Sequence, residues 1–265
     1  MTDGSSVVPQ AGSAPGRAVG LLRTAALQAA DALLPPRCLG CGAIAPSDGA
    51  LCGACWGGLS FIERPWCACC GLPFEFDIED GALCGGCAAG PPAFDAARAV
   101  LRYDDASRPL ILSFKYGDRM QAGRHFGAWM ARAGADLAPH ADLVAPVPLH
   151  WRRLAARRYN QSAELARGVA AAAGIGLCVD LLRRTRATPS QGGLTRRARR
   201  LNVRGAFAVA PRRRPAIRDA RILLVDDVMT TGATVEAAAR TLKRAGASRV
   251  DVLVLARVVR SAQPE

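Results

Sequence analysis

Lysine is almost absent from this sequence: it occurs only at Lys115 and Lys243, and the rest of its 35 Lys and Arg residues are arginines. Aromatic residues make up 5% of the chain, which argues against an extended surface for stacking nucleic-acid bases. No apolar run is long enough to span a membrane, because Arg23 and Asp31 interrupt the best candidate. The first twenty residues lack a basic segment followed by an apolar one, so we predict no secretory signal and a cytoplasmic protein.

The balance of charge is strongly basic, with a formal net charge of +13 and an isoelectric point of about 10.0. Such a balance favours polyanionic partners or an anionic small substrate. A compositional preference for arginine on a solvated surface would explain the same charge. The length of 265 residues and the hydrophobic fraction of 50% predict one full α/β core and a small additional domain.

Local composition divides the chain into four segments. Residues 1–17 are rich in Ser, Gly and Pro and predict a disordered tail. Residues 18–36 have helical spacing and end at two prolines, which predicts an N-terminal packing helix. Residues 37–90 hold nine of the ten cysteines. Residues 93–260 alternate strand-like and helix-like runs, which predicts an α/β domain with a doubly wound parallel sheet.

Within residues 93–260 the sequence predicts a long helix, a strand and an irregular basic segment. We predict one continuous helix over residues 152–173 and a strand over residues 177–182. Residues 183–205 are polar and basic without a clear period. They are too long for an ordinary connection, so we predict a functional loop or lid.

The cysteines form four C-x-x-C knuckles, each of which can give two thiolates to a tetrahedral Zn²⁺. Eight cysteines therefore predict two structural zinc ions, with the metal replacing a core too small to fold alone. The knuckles can pair sequentially or interleave, and the short loops favour sequential pairing. Cys69 is the odd cysteine of the cluster. The predicted ligands are Cys38, Cys41, Cys52, Cys55, Cys67, Cys70, Cys84 and Cys87.

The most informative stretch is residues 221–234, RILLVDDVMTTGAT. Its apolar run predicts a central parallel strand, so Asp226 and Asp227 fall at the strand end where open α/β sheets bind ligands. The small and hydroxylated residues that follow can present N–H groups and hydroxyls to a phosphate at a helix N-terminus. Carboxylates beside a phosphate cradle indicate a sugar phosphate, and we expect Mg²⁺ to bridge carboxylate and substrate oxygens.

This pattern closely resembles the signature with which type I phosphoribosyltransferases bind phosphoribosyl pyrophosphate (PRPP). Together with the knuckles, residues 33–258 resemble the ComF family, which combines a double zinc ribbon with a phosphoribosyltransferase domain and is linked to DNA uptake in natural transformation. Three more stretches carry the resemblance: PVPLH at 146–150, RRYNQS at 157–162 and TPSQGGLTRRARRLNVRGAF at 188–207.

The resemblance implies roles for particular residues. Asp226 and Asp227 would bind the ribose hydroxyls, with Mg²⁺ nearby, and residues 183–205 would be a hood that closes over the site. The pyrophosphate loop would be Val147, Pro148, Leu149 and His150. The 5′-phosphate would be held by Thr230, Thr231, Gly232, Ala233 and Thr234.

Two hypotheses from different classes follow. The first is an enzyme that transfers a phosphoribosyl group from PRPP to an unidentified acceptor, with partners in the DNA-uptake machinery. The second is a non-catalytic module that binds single-stranded DNA and senses PRPP. Nucleotide salvage ranks below both, because no residue that would recognise a base is identifiable from the sequence.

Overall fold

The computed structural model describes residues 35–116, 120–157, 159–187 and 195–259. The predicted tail at 1–17 lies outside the described residues, as does the predicted N-terminal helix apart from Pro35 and Pro36, which are not helical. The helices are α1 (Gly53–Gly57), α2 (Gly85–Ala89), α3 (Ser107–Tyr116), α4 (Ala122–Ala133), α5 (Trp151–Arg157), α6 (Gln161–Ala173), α7 (Arg196–Val203) and α8 (Ala233–Arg244). The strands are β1 (Ala96–Arg102), β2 (Leu143–Pro146), β3 (Gly176–Leu177), β4 (Leu182–Arg184), β5 (Phe207–Val209), β6 (Arg221–Met229) and β7 (Arg249–Arg257).

Five strands form one parallel sheet in the order β1-β7-β6-β2-β3. β6 lies at its centre, and the apolar run of residues 222–225 is buried. Separate hydrophobic clusters cover the two faces of the sheet, one packed with α4 and α6 and the other with α8. The predicted α/β class with a doubly wound parallel sheet is therefore confirmed.

Helices α4 and α6 pack unusually closely on one face of the sheet. A Cβ atom at Gly127 would lie 2.4 Å from the Cα atom of Gly168, so neither position has room for a side chain. The close approach brings α6 against the sheet beside the carboxyl end of β6. The crossing thus fixes the N-terminus of α6, where Ser162 lies.

Two predicted elements are wrong in their continuity. The helix predicted over 152–173 is divided into α5 and α6, because Asn160 has an extended backbone and caps α6 by accepting a hydrogen bond from Ser162 N. The strand predicted over 177–182 is divided into β3 in the main sheet and β4 in a separate antiparallel pair with β5. Periodicity did not reveal either break, since helical spacing of apolar residues resumes after Asn160 and apolar residues continue through Val179 and Leu181.

The basic segment at 183–205 contains more regular structure than predicted. Within its described part, the end of β4 is followed by α7, whose first turn is capped by Thr195 Oγ1 accepting from Ala198 N at 3.2 Å. Residues 188–194 lie outside the described residues. Helix α7 packs on α8 and so stands beside the loop at the end of β6.

The cysteine-rich segment covers the outer edge of β1. Phe61 forms an antiparallel bridge with Leu101, Ile62 N donates to Val100 O at 2.8 Å, and Arg102 N donates to Ser60 O at 2.8 Å. An uncovered edge strand is a template for pairing with another chain, so this segment protects the sheet as well as carrying the cysteines.

Candidate functional site

The centre of the candidate site is the carboxyl end of β6 and the turn into α8. Asp226 and Asp227 lie in the last part of β6, and Gly232 caps α8 in a left-handed conformation with φ +77°. A residue with a Cβ atom would be strained there, so glycine is suited to this turn. The backbone N–H groups at the start of α8 therefore face the same end of the sheet as the two carboxylates.

The two carboxylates differ in environment. Asp226 is buried and accepts hydrogen bonds from Ser162 Oγ at 2.8 Å and from Asp227 N at 2.9 Å. Asp227 forms an ion pair with Lys115, in which Nζ lies 3.1 Å from Oδ2. Burial, and next the negative charge of Asp227, raise the pKa of the Asp226 carboxyl to about 7. The pair thus holds a carboxyl that titrates near neutral pH.

These carboxylates open into a cleft of about 280 Å³. Its walls include three residues of the loop after β2, Val147, Pro148 and Leu149, and three arginines also line it. One of them, Arg199 of α7, donates from Nη1 to Thr230 Oγ1 at 2.7 Å. The other two are Arg153 and Arg184. Carboxylates and guanidinium groups therefore line the same cleft, which suits an anionic ligand that also carries hydroxyl groups.

Most of the predicted ligand residues converge on this cleft. Thr230, Gly232, Ala233 and Thr234 line it together with the β2 loop. His150 is buried instead, where its Nδ1 accepts from Arg152 N at 3.3 Å, so it serves the local fold of the loop. The remaining member of the predicted phosphate loop, Thr231, lines a neighbouring cleft.

Two residues of the site were not assigned to it from the sequence. Ser162 lies far from Asp226 along the chain, and only the packing of α6 against β6 brings its hydroxyl to the carboxylate. Lys115, at the end of α3, forms the ion pair with Asp227 from a position distant in sequence. The neighbouring pair Asn160 and Gln161 could have indicated that these residues lie near the site. Asn160 donates to Val147 O in the loop after β2, and Gln161 donates to Lys115 O at the end of α3.

The eight knuckle cysteines form two clusters, and their pairing is sequential. In each cluster, one possible ligand atom from every cysteine lies within 4.8 Å of the others. The sets are Cys38, Cys41, Cys52 and Cys55, and Cys67, Cys70, Cys84 and Cys87. Four thiolates in this arrangement are the donor set of a structural zinc site.

Backbone N–H groups stabilise the thiolate form of the first cysteine of each set. Cys38 Sγ accepts from Cys52 N at 3.2 Å, and Cys67 Sγ accepts from Cys84 N at 3.3 Å. Burial acts to raise the pKa of Cys38, but the backbone donors outweigh it and lower the pKa to about 6. The corresponding balance lowers the pKa of Cys67 to about 7. A thiolate is the form that binds the metal.

The second cluster is joined directly to the sheet. Ala97 N of β1 donates to Cys69 O at 2.7 Å, and Arg98 Nη1 donates to Ala68 O at 3.2 Å. From β7, Arg257 donates to Cys70 O. Cys69 therefore contributes through its carbonyl group, since its thiol is not part of either four-cysteine set.

Comparison with known families agrees with this architecture. Residues 29–88 match the double zinc ribbon domain, and residues 160–265 match the phosphoribosyl transferase domain. Two Cys₄ sites in a double zinc ribbon support two structural zinc ions. Within the described residues, no helix is both long and apolar enough to cross a membrane.

Curated relatives extend the match over most of the chain. Competence protein F of Haemophilus influenzae is 28% identical over 227 residues, which cover 83% of this chain and 96% of that protein. DNA utilization protein YhgH of Escherichia coli K12 is 29% identical over 203 residues, which cover 74% of this chain and 86% of that protein. Among solved structures, the glutamine PRPP amidotransferase of B. subtilis matches at 25% identity and a TM-score of 0.36, over 54% of this chain and 30% of that one.

Proposed function

We propose that this chain, which has a double zinc ribbon and a phosphoribosyltransferase-fold domain, is a ComF-like protein that binds PRPP with Mg²⁺ and transfers the phosphoribosyl group to an acceptor. The observation that carries this proposal is that Asp226, Asp227 and the loop at the start of α8 line one cleft. The names of the relatives point to a role in DNA uptake and utilization.

Different groups of the cleft can bind the ribose, the 5′-phosphate and the pyrophosphate of PRPP. The carboxylates of Asp226 and Asp227 can accept hydrogen bonds from the two ribose hydroxyls. The N-terminus of α8 supplies backbone donors and the positive end of the helix dipole to the 5′-phosphate. The loop at residues 147–149, with Arg153 and Arg184 on the same cleft, is placed to receive the pyrophosphate. Guanidinium groups can bind phosphate oxygens in bidentate fashion.

The residues present fit a magnesium ion. Mg²⁺ prefers one or two carboxylates together with substrate phosphate oxygens, and the cleft offers two adjacent carboxylates. Bound Mg²⁺ would neutralise charge on the departing pyrophosphate. The protein would contribute orientation, electrostatic neutralisation and exclusion of water, with α7 as part of the cover.

We expect PRPP binding to depend on magnesium and on pH. In a calorimetric titration of zinc-loaded protein, Mg²⁺ should strengthen PRPP binding and chelation should weaken it. Because Asp226 must be ionised to accept from a ribose hydroxyl and has a pKa of about 7, affinity should fall as the pH drops below 7. One proton released from Asp226 per complex formed corresponds to about tenfold in affinity per pH unit.

A matched titration of Asp226→Asn separates this effect from titration of the ligand's own phosphates. The variant should show only the pH dependence of PRPP itself. If the parent protein is folded and zinc-loaded but binds no PRPP at any pH, the proposal is wrong.

A second candidate function, binding of single-stranded DNA without catalysis, is favoured by the net charge of +13 and by the arginines of the cleft. The low aromatic content favours contacts to the phosphate backbone over stacking of bases. The same arginines would serve PRPP and DNA, so the two ligands should compete.

We expect any affinity for an oligothymidine strand to fall steeply with salt. Neutralising about three phosphates predicts a loss of about tenfold or more between about 50 and 200 mM salt. Fluorescence anisotropy across a salt series measures this, and repeating it with PRPP and Mg²⁺ tests the competition. Affinity that does not change with salt would contradict the electrostatic interpretation.

A further inference from the structure

Helix α7 brings an arginine to the loop that is proposed to hold the 5′-phosphate. Arg199 Nη1 donates to Thr230 Oγ1 at 2.7 Å, and both residues line the cleft that contains Asp226 and Asp227. Thr234, in the first turn of α8, lines the same cleft. Because the side chains of Arg199 and Thr230 touch, one phosphate group can contact both of them.

The last turn of α7 is held firmly by the rest of the domain. Arg186 Nη2 donates to Asn202 O at 3.0 Å and to Arg204 O at 2.8 Å. Val203, the last residue of the helix, is 1% exposed. The helix that carries Arg199 is therefore packed as part of the domain, so its guanidinium group can bind a ligand without first ordering a loop.

The bond between Arg199 and Thr230 leaves the threonine hydroxyl suited to an anion. A threonine hydroxyl has one hydrogen and two acceptor lone pairs, and here it accepts from a guanidinium group. Its own hydrogen can then be donated to a phosphate oxygen, and a chain of two such bonds strengthens both. The guanidinium group has further N–H groups in the same plane, which can bind a second oxygen of the same phosphate.

The acidic residue in the first turn of α8 is paired with other arginines. Glu236 Oε1 accepts from Arg240 Nη2 at 2.7 Å, and its Oε2 lies 3.9 Å from Arg200 Nη2. The carboxylate thus has two cationic neighbours, whereas Arg199 is directed to Thr230. The positive end of the helix dipole and the charge of Arg199 therefore act together on an anion at this loop.

The other two arginines of the cleft belong to a different group of charges. Arg153 follows the loop at residues 147–149, and Arg184 ends β4. Burial, and next the positive charge of Arg153, lower the pKa of the Arg184 guanidinium, whereas the negative charge of Asp226 raises it. One group of positive charge is therefore associated with Asp226 and the loop after β2, and Arg199 supplies another at the loop before α8.

We propose that Arg199 binds the 5′-phosphate and makes the site specific for a sugar that is phosphorylated at C5, while Arg153 and Arg184 serve the pyrophosphate. This inference rests on the proposed function and refines it. The basic segment at 183–205 then acts on both ends of the substrate, because Arg184 and Arg199 both belong to it. Only a ligand with both phosphate groups would engage the whole segment.

The test uses PRPP with Mg²⁺ as the probe and the full-length, zinc-loaded protein. Calorimetry gives the Kd, and ³¹P NMR of bound PRPP distinguishes its 5′-phosphate from its two pyrophosphate phosphorus atoms. The variants are Arg199→Met and Arg199→Lys, with Arg197→Met as the matched control. Arg197 is exposed on the same helix and does not line the cleft, so its replacement removes the same charge from α7. Arg153→Met is the reciprocal variant.

We expect Arg199→Met to raise the Kd for PRPP at least about tenfold, because it removes a charge-assisted contact. Its bound ³¹P spectrum should differ from the parent's at the 5′-phosphate, and that of Arg153→Met at the pyrophosphate. Arg199→Lys should recover part of the affinity, and Arg197→Met should match the parent within about twofold.

Two results would overturn the role of Arg199 while leaving PRPP binding intact. One is a Kd for folded Arg199→Met that equals the parent's, and the other is a spectral change at the pyrophosphate instead of the 5′-phosphate. A parent that fails to bind PRPP would overturn the proposed function, and the role of Arg199 with it.

Discussion

Replacing Asp226 and Asp227 together by asparagine should abolish magnesium-dependent PRPP binding, with an increase in Kd of at least about 100-fold. Each carboxylate is proposed to make a hydrogen bond to a ribose hydroxyl, and bonds to charged groups are worth about 1.5–3 kcal/mol each. Two such losses correspond to about 100-fold or more in affinity. Loss of the charge that attracts Mg²⁺ acts in the same direction. Calorimetric titration with PRPP and Mg²⁺ measures the effect.

The double variant should remain folded, which makes the result interpretable. Ser162 Oγ can donate to the amide oxygen of asparagine as it does to Asp226 Oδ1. The substitution also removes a buried carboxyl whose ionised form is disfavoured by burial and by the charge of Asp227. Asp180→Asn is the control, because Asp180 pairs with Arg213 at the surface and does not line the cleft. PRPP binding that survives in the folded double variant would contradict the assignment of the site.

The sequence was sufficient to predict β6 and the turn that follows it, because strand, carboxylates, glycine and helix are contiguous there. It was not sufficient for Lys115 and Ser162, which reach the same carboxylates from separate helices. Their placement depends on the end of α3, on the break before α6 and on the close crossing at Gly127. These are tertiary effects that a local pattern does not encode.

In the cysteine segment, too, the sequence predicted the local features but not the tertiary contacts. Spacing alone predicted the ligands and favoured the sequential pairing that the structure has, because a knuckle is a local unit. Spacing said nothing about the bridge between Phe61 and Leu101 or the bond from Arg257 to Cys70 O. Those contacts join the ribbon to the edge strand β1 and to the end of β7, and they make the metal sites part of the larger structure.

For this reason, loss of the second zinc site should destabilise the whole protein. Cys84→Ser should lower bound zinc from two ions per chain to one, measured by elemental mass spectrometry. Structural zinc binds zinc-finger peptides with about 10–16 kcal/mol of free energy, most of which appears as folding free energy. We expect a loss of several kcal/mol in the free energy of unfolding, because the knuckle at residues 67–71 is bonded to β1 and β7.

Cys69→Ser provides the matched control, since the residue lies in the other knuckle of the same site but outside the four-cysteine set. Its carbonyl would still accept from Ala97 N, because that bond does not involve the side chain. The control should keep two zinc ions and nearly the parent's stability in urea unfolding. If Cys84→Ser kept two zinc ions, or if Cys69→Ser lost one, the assignment of ligands would be wrong. If zinc were lost without a change in stability, the ribbon would be an independent unit, and the contacts to β1 and β7 would contribute little to the fold.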